Sequence, residues 1–201
     1  MNFVHSQYGR KMKMNTIVTS KEEILCVSRE LIRKQGWNAL NIRTVAKECN
    51  ISVGSIYNYF RNKSDLITAT VESVWHDIFH FPENPAVFDS FIRCVEWAFD
   101  SMKKGEERYP GFFAFHSVIF MGEEKGNGQQ LMQESWKHIS EGLYQVLLHD
   151  PNVSSSAFDD EFTPQKFVEI IFSLIIAAMI RHDYDCLGIT GMIRRTIYTK
   201  N

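Results

Sequence analysis

Apolar side chains recur along this chain every three to four residues, which is the spacing of one face of an α-helix. In the first such run, Ile24, Val27 and Leu31 fall on one side of the helix. No segment shows the strict alternation of a half-buried strand, and only five prolines interrupt the 201 residues. The pattern therefore predicts an all-α fold.

Capping residues and helix breakers divide this pattern into elements. Ser20 and Glu23 have the S-x-x-E spacing of a capping box, which predicts a first helix that ends at Gly36. The next N-cap candidates are Asn41, Ser52 and Asn62. Further helices are predicted at 42–49, 53–60, 62–80, 86–104, 109–122, 128–148, 164–182 and 189–199.

The segments between these helices are polar or rich in glycine. We expect residues 1–19, which show no periodicity, to form a flexible basic tail. Gly105 and the Gly-Asn-Gly at 126–128 are expected to separate helices. The acidic, serine-rich stretch 150–162 is expected to be a mobile loop.

The two short helices at 42–49 and 53–60 are joined by three residues, which is the arrangement of a helix-turn-helix. Such a unit needs a small residue where the helices approach most closely, and Ala46 supplies it. It also needs a turn residue that tolerates a positive φ, and Asn50 supplies that. The positions expected to be buried are Val45, Cys49, Ile51, Ile56 and Tyr59.

The outward face of the second short helix carries small and hydrogen-bonding side chains. Its members are Val53, Gly54, Ser55, Tyr57 and Asn58. Such a face can lie in the major groove of DNA, while Arg43, Arg61 and Lys63 would meet the phosphates on either side. On the pattern alone, a helix pair that never touches nucleic acid is an open alternative.

The distribution of charge favours a polyanionic partner for the first third of the chain. Residues 1–66 contain 11 Lys or Arg against 5 Asp or Glu, a net charge of +6. Residues 67–201 contain 11 against 19, a net charge of −8. The basic third could therefore face DNA while the acidic remainder would be repelled by it, although a merely solvated basic face is the alternative.

Several classes of protein are disfavoured by what the sequence lacks. Its cysteines, at 26, 49, 94 and 186, form no CxxC pair, so we expect no zinc site and interpret them as reduced core thiols of a cytoplasmic protein. The most apolar run, 170–180, is shorter than the roughly 20 residues that span a bilayer. We expect neither a membrane span nor a signal peptide. His76 and His80 stand four apart, but no third ligand has linked spacing, so no metal or other cofactor is expected.

Residues 36–66, GWNALNIRTVAKECNISVGSIYNYFRNKSDL, resemble the DNA-binding segment of the TetR family of bacterial repressors. The resemblance rests on Gly36 with an aromatic residue after it, Ala46, the pattern Ser52-x-Gly54-x-Ile56-Tyr57-x-Tyr59-Phe60, Lys63 and Leu66. It covers about residues 20–68. It implies an all-helical homodimer in which a three-helix domain, 20–67, binds DNA and a larger helical domain, 68–201, binds a small inducer and dimerises.

The resemblance also implies roles for individual residues. Asn41 and Arg43 would meet phosphates, Lys63 would hold another phosphate, and Phe60 would lie in the core. The recognition surface would consist of Ser52, Val53, Gly54, Ser55, Tyr57 and Asn58. The chain departs from the family's pattern at three positions, with Asn50 for a common glycine, Val53 for a frequent lysine and Asn41 for a frequent threonine. These departures leave the fold expectation intact and the operator sequence unpredictable.

The larger domain is rich in aromatic and histidine side chains, which predicts an apolar effector pocket. The candidate ligand-binding residues are Trp75, Phe79, Trp97, Phe113, His116, Phe120, Trp136 and Tyr144. Ordinary core packing is the alternative for each of them. Residues 164–199 are expected to form the homodimer face, because so apolar a helix must be covered, although burial within one subunit would also cover it.

The leading hypothesis is a ligand-responsive transcriptional regulator, a repressor released from a palindromic DNA operator by a small, largely apolar molecule. One alternative is a helical enzyme or carrier with a vestigial helix-turn-helix. Because the sequence offers no nucleophile–base pair, phosphate loop or metal cluster, we expect no enzyme. Another alternative is a DNA-binding regulator that responds to a protein partner.

Overall fold

The computed structural model describes residues 20–80, 82, 84, 87–113 and 125–198. Eight α-helices and a short 3-10 helix make up most of this part, and an isolated β-bridge between Val153 and Tyr198 is its only strand pairing. The all-α prediction is confirmed. The helices are α1 (Lys21–Gln35), α2 (Ile42–Glu48), α3 (Val53–Tyr57), α4 (Lys63–Ile78), α5 (Phe91–Arg108), α6 (Lys125–His149), α7 (Pro164–Ile180) and α8 (Leu187–Ile197), with the 3-10 helix at Trp37–Ala39. The expected tail, 1–19, and His116 and Phe120 lie outside the described residues.

The predicted N-caps of the first four helices all make the expected hydrogen bonds. The Ser20 hydroxyl accepts from the Glu23 backbone N–H at 3.1 Å, and the Glu23 carboxylate accepts from the Ser20 N–H at 2.8 Å, which completes the capping box. The side chains of the other three caps accept from the backbone three residues later, at 2.9 Å for Asn41, 3.0 Å for Ser52 and 2.8 Å for Asn62. Each bond satisfies an amide that the helix cannot, which is why these helices begin where they do.

Two predicted helix breaks lie inside helices, so those predictions are wrong. Gly105 is a buried residue of α5, and a Cβ there would lie within 2.8 Å of the Ile78 side chain. Its role is to let α4 and α5 pack closely. The Gly-Asn-Gly at 126–128 falls within α6, and α3 ends at Tyr57, three residues before its predicted end. Tertiary packing stabilises or ends a helix at positions where local sequence signals point elsewhere.

The polar stretch at 150–162 is tied to both ends of the second domain. The buried Asp150 carboxylate accepts from the Phe91 backbone N–H at 2.7 Å and from the Tyr198 hydroxyl. The Ser154 N–H donates to the Ile197 carbonyl at 2.8 Å. These bonds join the start of α5 to the residues after α8, which argues against the freely mobile loop that the composition predicts.

The helix α4 connects an N-terminal helix-turn-helix domain to a C-terminal helical domain. It packs on α1 and also on α5 and α6, and it runs through the expected domain boundary at 67–68. A second connection is aromatic. Trp37, in the 3-10 helix, stacks on Phe112 with ring centroids 5.5 Å apart, and Phe112 meets Trp75 of α4 at 5.3 Å.

Burial differs among the four cysteines. Cys94 is fully buried, and burial raises the pKa of its thiol to about 12. Cys49 and Cys186 are half-buried. Cys26 is exposed on the outer face of α1, so the prediction that all four are core thiols is wrong for this residue. Within the described ranges, no helix is long and apolar enough to cross a membrane.

Candidate nucleic-acid interface

The turn between α2 and α3 has the geometry that the sequence predicts. Asn50 has a φ of 54°, in the left-handed region, and is one of two residues other than glycine described with a positive φ. The Ile51 N–H then donates to the Ala46 carbonyl at 3.0 Å, which closes the turn onto α2. Ala46 is buried at the close approach, and Val45 and Ile56 are fully buried. The scaffold of the unit is therefore as expected.

One predicted core position of this unit is wrong. Tyr59 is 40% exposed, whereas its neighbour Phe60 is buried. Because α3 ends at Tyr57, residues 58 and 59 form a turn, and the side chain that enters the core is displaced by one position from the helical register. Cys49 and Ile51 are only half-buried. Tyr59 thus joins the outer surface, where helical spacing alone could not have placed it.

The outer surface of α3 brings together most of the residues predicted for DNA recognition. Ser52, Gly54 and Asn58 are exposed, and Tyr57 is 51% exposed despite its size. Val53 is also exposed, and it stands four residues before Tyr57 on the same face. We call this set, residues 52–58 without Ile56, the α3 face. It presents an aromatic ring, an amide and a hydroxyl to solvent, groups that can meet base edges.

Two of the residues predicted to contact DNA already make hydrogen bonds within the protein. Ser55 is half-buried, and its hydroxyl lies 2.9 Å from the Ser52 hydroxyl. The Asn41 amide caps α2 and also donates to the Ala39 carbonyl at 3.2 Å and to the Thr44 hydroxyl at 2.7 Å. The side chain of Asn41 therefore serves first to hold the start of α2, which the resemblance alone did not show.

The cations around the α3 face are exposed and available. Arg43, Arg61 and Lys63 take no part in an ion pair with any described residue. Lys47, which the sequence reasoning missed, is also exposed and stands four residues after Arg43 on α2. That spacing places both on one side of the helix and could have identified Lys47.

The predicted ligand-binding residues fall into separate groups. Trp75 is buried against Phe79 at 5.4 Å and Phe113 at 6.0 Å, and Phe79 meets the half-buried Trp97 at 6.3 Å between ring centroids. Trp136 packs edge-on against Phe172 of α7 at 5.9 Å. Tyr144 is half-buried on α6. The first group is tightly packed, which is what the core alternative predicts for those positions.

An open groove of about 530 Å³ lies between α1 and α4. Its lining includes Arg29, Ser73 and His76, and none of the predicted ligand-binding residues. The ring of His76 lies 6.1 Å from that of His138 on α6. The described residues hold no group of three side chains that could bind a metal ion.

Polar bonds join α4 to α1 and to the end of α5. Arg29 of α1 donates to the Ser73 hydroxyl of α4. Asp77, near the end of α4, accepts from the Tyr109 hydroxyl at 2.9 Å and pairs with Arg108 at 2.9 Å. Burial and the bond to Asp77 raise the pKa of Tyr109 to about 12, so this phenol remains a donor at neutral pH. The end of α5 is therefore bonded directly to the last turn of α4.

Comparisons with known proteins agree with this geometry. Residues 24–70 match the family described as "Bacterial regulatory proteins, tetR family". An uncharacterized HTH-type transcriptional regulator of Haemophilus influenzae is 33% identical over 88 residues, which cover 44% of this chain and 40% of the relative. The chain thus matches about two fifths of the length of that relative.

Solved structures resemble the whole described fold. A candidate transcriptional regulator from Streptomyces coelicolor A3(2) has a TM-score of 0.63 at 16% identity, over 89% of this chain and 98% of that one. A TetR transcriptional regulator from Legionella pneumophila has a TM-score of 0.54 at 24% identity, over 90% of this chain and 99% of that one. At these identities the likeness concerns the fold alone, and it extends through the C-terminal domain.

Proposed function

We propose that this chain is a transcriptional regulator of the tetR type, which its match over residues 24–70 supports, and that it binds double-stranded DNA through the α3 face. The observation that carries the proposal is the exposed α3 face itself, held on a buried scaffold and flanked by cations that no described acid neutralises. Side chains in the major groove would read the sequence, and the flanking cations would bind phosphates. Such a regulator works in the cytoplasm, where bacterial DNA lies.

We assign affinity and specificity to different residues. Arg43 and Lys63, with Arg61, would supply most of the electrostatic attraction, because phosphate contacts are independent of sequence. Tyr57 and Asn58 would supply most of the base discrimination, since they are the largest exposed polar groups of the α3 face. Ser55 would contribute less than its position suggests, because it is half-buried against Ser52.

The functional unit would be a homodimer formed through α7 and α8. The outer surfaces of these helices expose large apolar side chains, with Ile180 at 64% and Leu187 at 75%, and Ile170 and Met192 are exposed as well. A single α3 face covers one half-site, and a two-fold dimer would place two such faces about 34 Å apart, one turn of DNA. A second copy of the chain would thus cover the apolar surface and complete the DNA-binding unit.

A small, largely apolar effector would release the protein from its operator, which makes it a repressor. The effector would enter the C-terminal domain and move α4, since this helix carries Lys63 at one end and contacts α5 at the other. The stack of Trp37 on Phe112 gives a second route between the domains. Moving α4 would change the spacing between the two α3 faces of the dimer.

Binding of the purified chain to its own promoter region tests the proposal. Fluorescence anisotropy should show a preference for that DNA over a scrambled duplex, falling steeply with salt, and sedimentation should show a dimer. Tyr57→Ala should abolish the preference while folding and dimerisation survive, and Val87→Ala, an exposed residue of the other domain, should behave as wild type. A folded dimer without sequence preference, or a Tyr57→Ala variant that binds like wild type, would contradict the proposal.

A further inference from the structure

His76 and His138 face each other across the contact between α4 and α6. Their ring centroids lie 6.1 Å apart with the ring planes inclined by 56°, and both side chains are exposed. The two helices pack against each other, so the separation of these residues is set by helices rather than by loops. Because histidine is the most common metal ligand in proteins, a pair of imidazoles placed in this way is a candidate for holding a metal ion.

The separation of the two rings fits one metal ion between them. A histidine nitrogen binds Zn²⁺ at about 2.0–2.1 Å, which puts the ion about 3.2 Å from the centre of the ring. Two rings on one ion are therefore at most about 6.4 Å apart, and about 5.2 Å apart at the tetrahedral angle. The observed 6.1 Å lies within this limit, and small rotations of two exposed side chains would bring the rings to the tetrahedral value.

The surroundings of His76 would attract a cation and admit water. His76 lines the open groove between α1 and α4 together with Glu72, which lies one helical turn before it. Glu72 takes part in no ion pair with a described residue, whereas Glu22 and Asp77 of the same groove are paired with arginines. The described residues include no third side chain placed to complete a set of three metal ligands. Water from the groove would therefore fill the remaining positions of the ion.

The structure selects His138 rather than His80 as the partner of His76. In the sequence His76 and His80 are four residues apart, the spacing of neighbours on one face of a helix. However, α4 ends at Ile78, and the φ of −114° and ψ of 64° at Phe79 are not helical. His80 therefore lies beyond the helix that would have placed it beside His76.

We propose that His76 and His138 form a two-histidine site for a divalent transition-metal ion such as Ni²⁺, Zn²⁺ or Cu²⁺. Each imidazole would bind the ion through one ring nitrogen, and water molecules would complete the coordination. Mg²⁺ and Ca²⁺ prefer oxygen ligands and would not bind. Because α4 begins at Lys63 in the DNA-binding domain, the ion would fasten the helix that joins the two domains to α6 of the C-terminal domain.

Calorimetric titration of the tag-free chain with Ni²⁺ and Zn²⁺ at neutral pH tests the proposal. Cys26→Ser in every sample removes an exposed thiol that could bind the same ions. We expect one ion per chain. His76→Ala and His138→Ala should each weaken binding about a hundredfold, because two ligands held together bind an ion far more tightly than either does alone. His80→Ala is the matched control and should bind as the parent chain does.

The melting temperature provides a second, independent readout of the shared ion. Ni²⁺ should raise the melting temperature of the parent chain and of His80→Ala, because an ion that binds only the folded chain stabilises it. It should leave His76→Ala and His138→Ala unchanged, and without metal all four chains should melt together, since these side chains are exposed. No binding by the parent chain, equal binding by His138→Ala, loss of binding in His80→Ala, or equally tight binding of Mg²⁺ would overturn the proposal.

Discussion

Lys63 offers a quantitative test of how this protein holds DNA. It is the first residue of α4, exposed, and without an ion pair among the described residues, so its full charge is available to a phosphate. The Asn62 side chain caps the helix independently, so Lys63→Ala should leave the fold intact. The substitution therefore isolates one cation of the interface.

The size of the effect follows from counterion release. If Arg43, Arg61 and Lys63 of each subunit bind phosphates, a dimer makes about six contacts, and log K should fall with log salt at a slope of about −5.4. Lys63→Ala removes two contacts per dimer and reduces that slope to about −3.6. A threefold rise in salt should then weaken wild type roughly 400-fold and the variant roughly 50-fold, and near 0.15 M salt the variant should bind roughly 30-fold more weakly.

Anisotropy titrations at four or more salt concentrations, with operator and scrambled duplexes, provide the measurement. The loss should be equal for both duplexes, because a phosphate contact carries no sequence information. Lys137→Ala, an exposed lysine of α6 in the C-terminal domain, is the matched control and should retain the wild-type slope. The reasoning is refuted if the slope is unchanged, or if only binding to the operator falls.

Three other substitutions probe base readout, helix packing and the tether of the C-terminal domain. Asn58→Ala should change which operator variant binds best, by about 5- to 150-fold at one base pair, in a binding selection with randomised half-sites, and an unchanged preference would exclude Asn58 from base readout. Gly105→Ala places a Cβ within 2.8–3.0 Å of three Ile78 atoms and should lower the free energy of unfolding in urea by about 1 kcal/mol. Adding Ile78→Val should recover part of this loss, whereas losses that simply add would disprove the clash. Asp150→Ala removes the acceptor of the Phe91 N–H and of the Tyr198 hydroxyl, and it should lower the free energy of unfolding by about 3–5 kcal/mol in the same assay. Tyr198→Phe removes only one of these hydrogen bonds and should cost about 1–2 kcal/mol. Equal losses would show that the hydrogen bond from the Phe91 N–H contributes little.

Local signals were sufficient for the starts of the first four helices and for the turn of the helix-turn-helix. Ser20, Asn41, Ser52 and Asn62 each cap the helix that the sequence predicts, because a cap depends only on a side chain and an amide three residues away. The positive φ of Asn50 is equally local, since few residue types tolerate it. The all-α fold and the composition of the α3 face follow from the same short-range information.

The burial and contacts of residues that depend on a partner distant in sequence could not be predicted from local signals. Gly105 looks like a helix break until Ile78 of another helix is seen against it. Tyr59 appears to be a core residue until the end of α3 turns Phe60 inward in its place. The acidic stretch 150–162 looks like a mobile loop until Asp150 is seen to accept hydrogen bonds from the Phe91 N–H and the Tyr198 hydroxyl.

The sequence by itself determined the all-α class, the N-caps of the first four helices and the composition of the exposed α3 face, because these depend on neighbours along the chain. The tertiary structure alone decided burial and the pairing of remote side chains, because those depend on which helices meet.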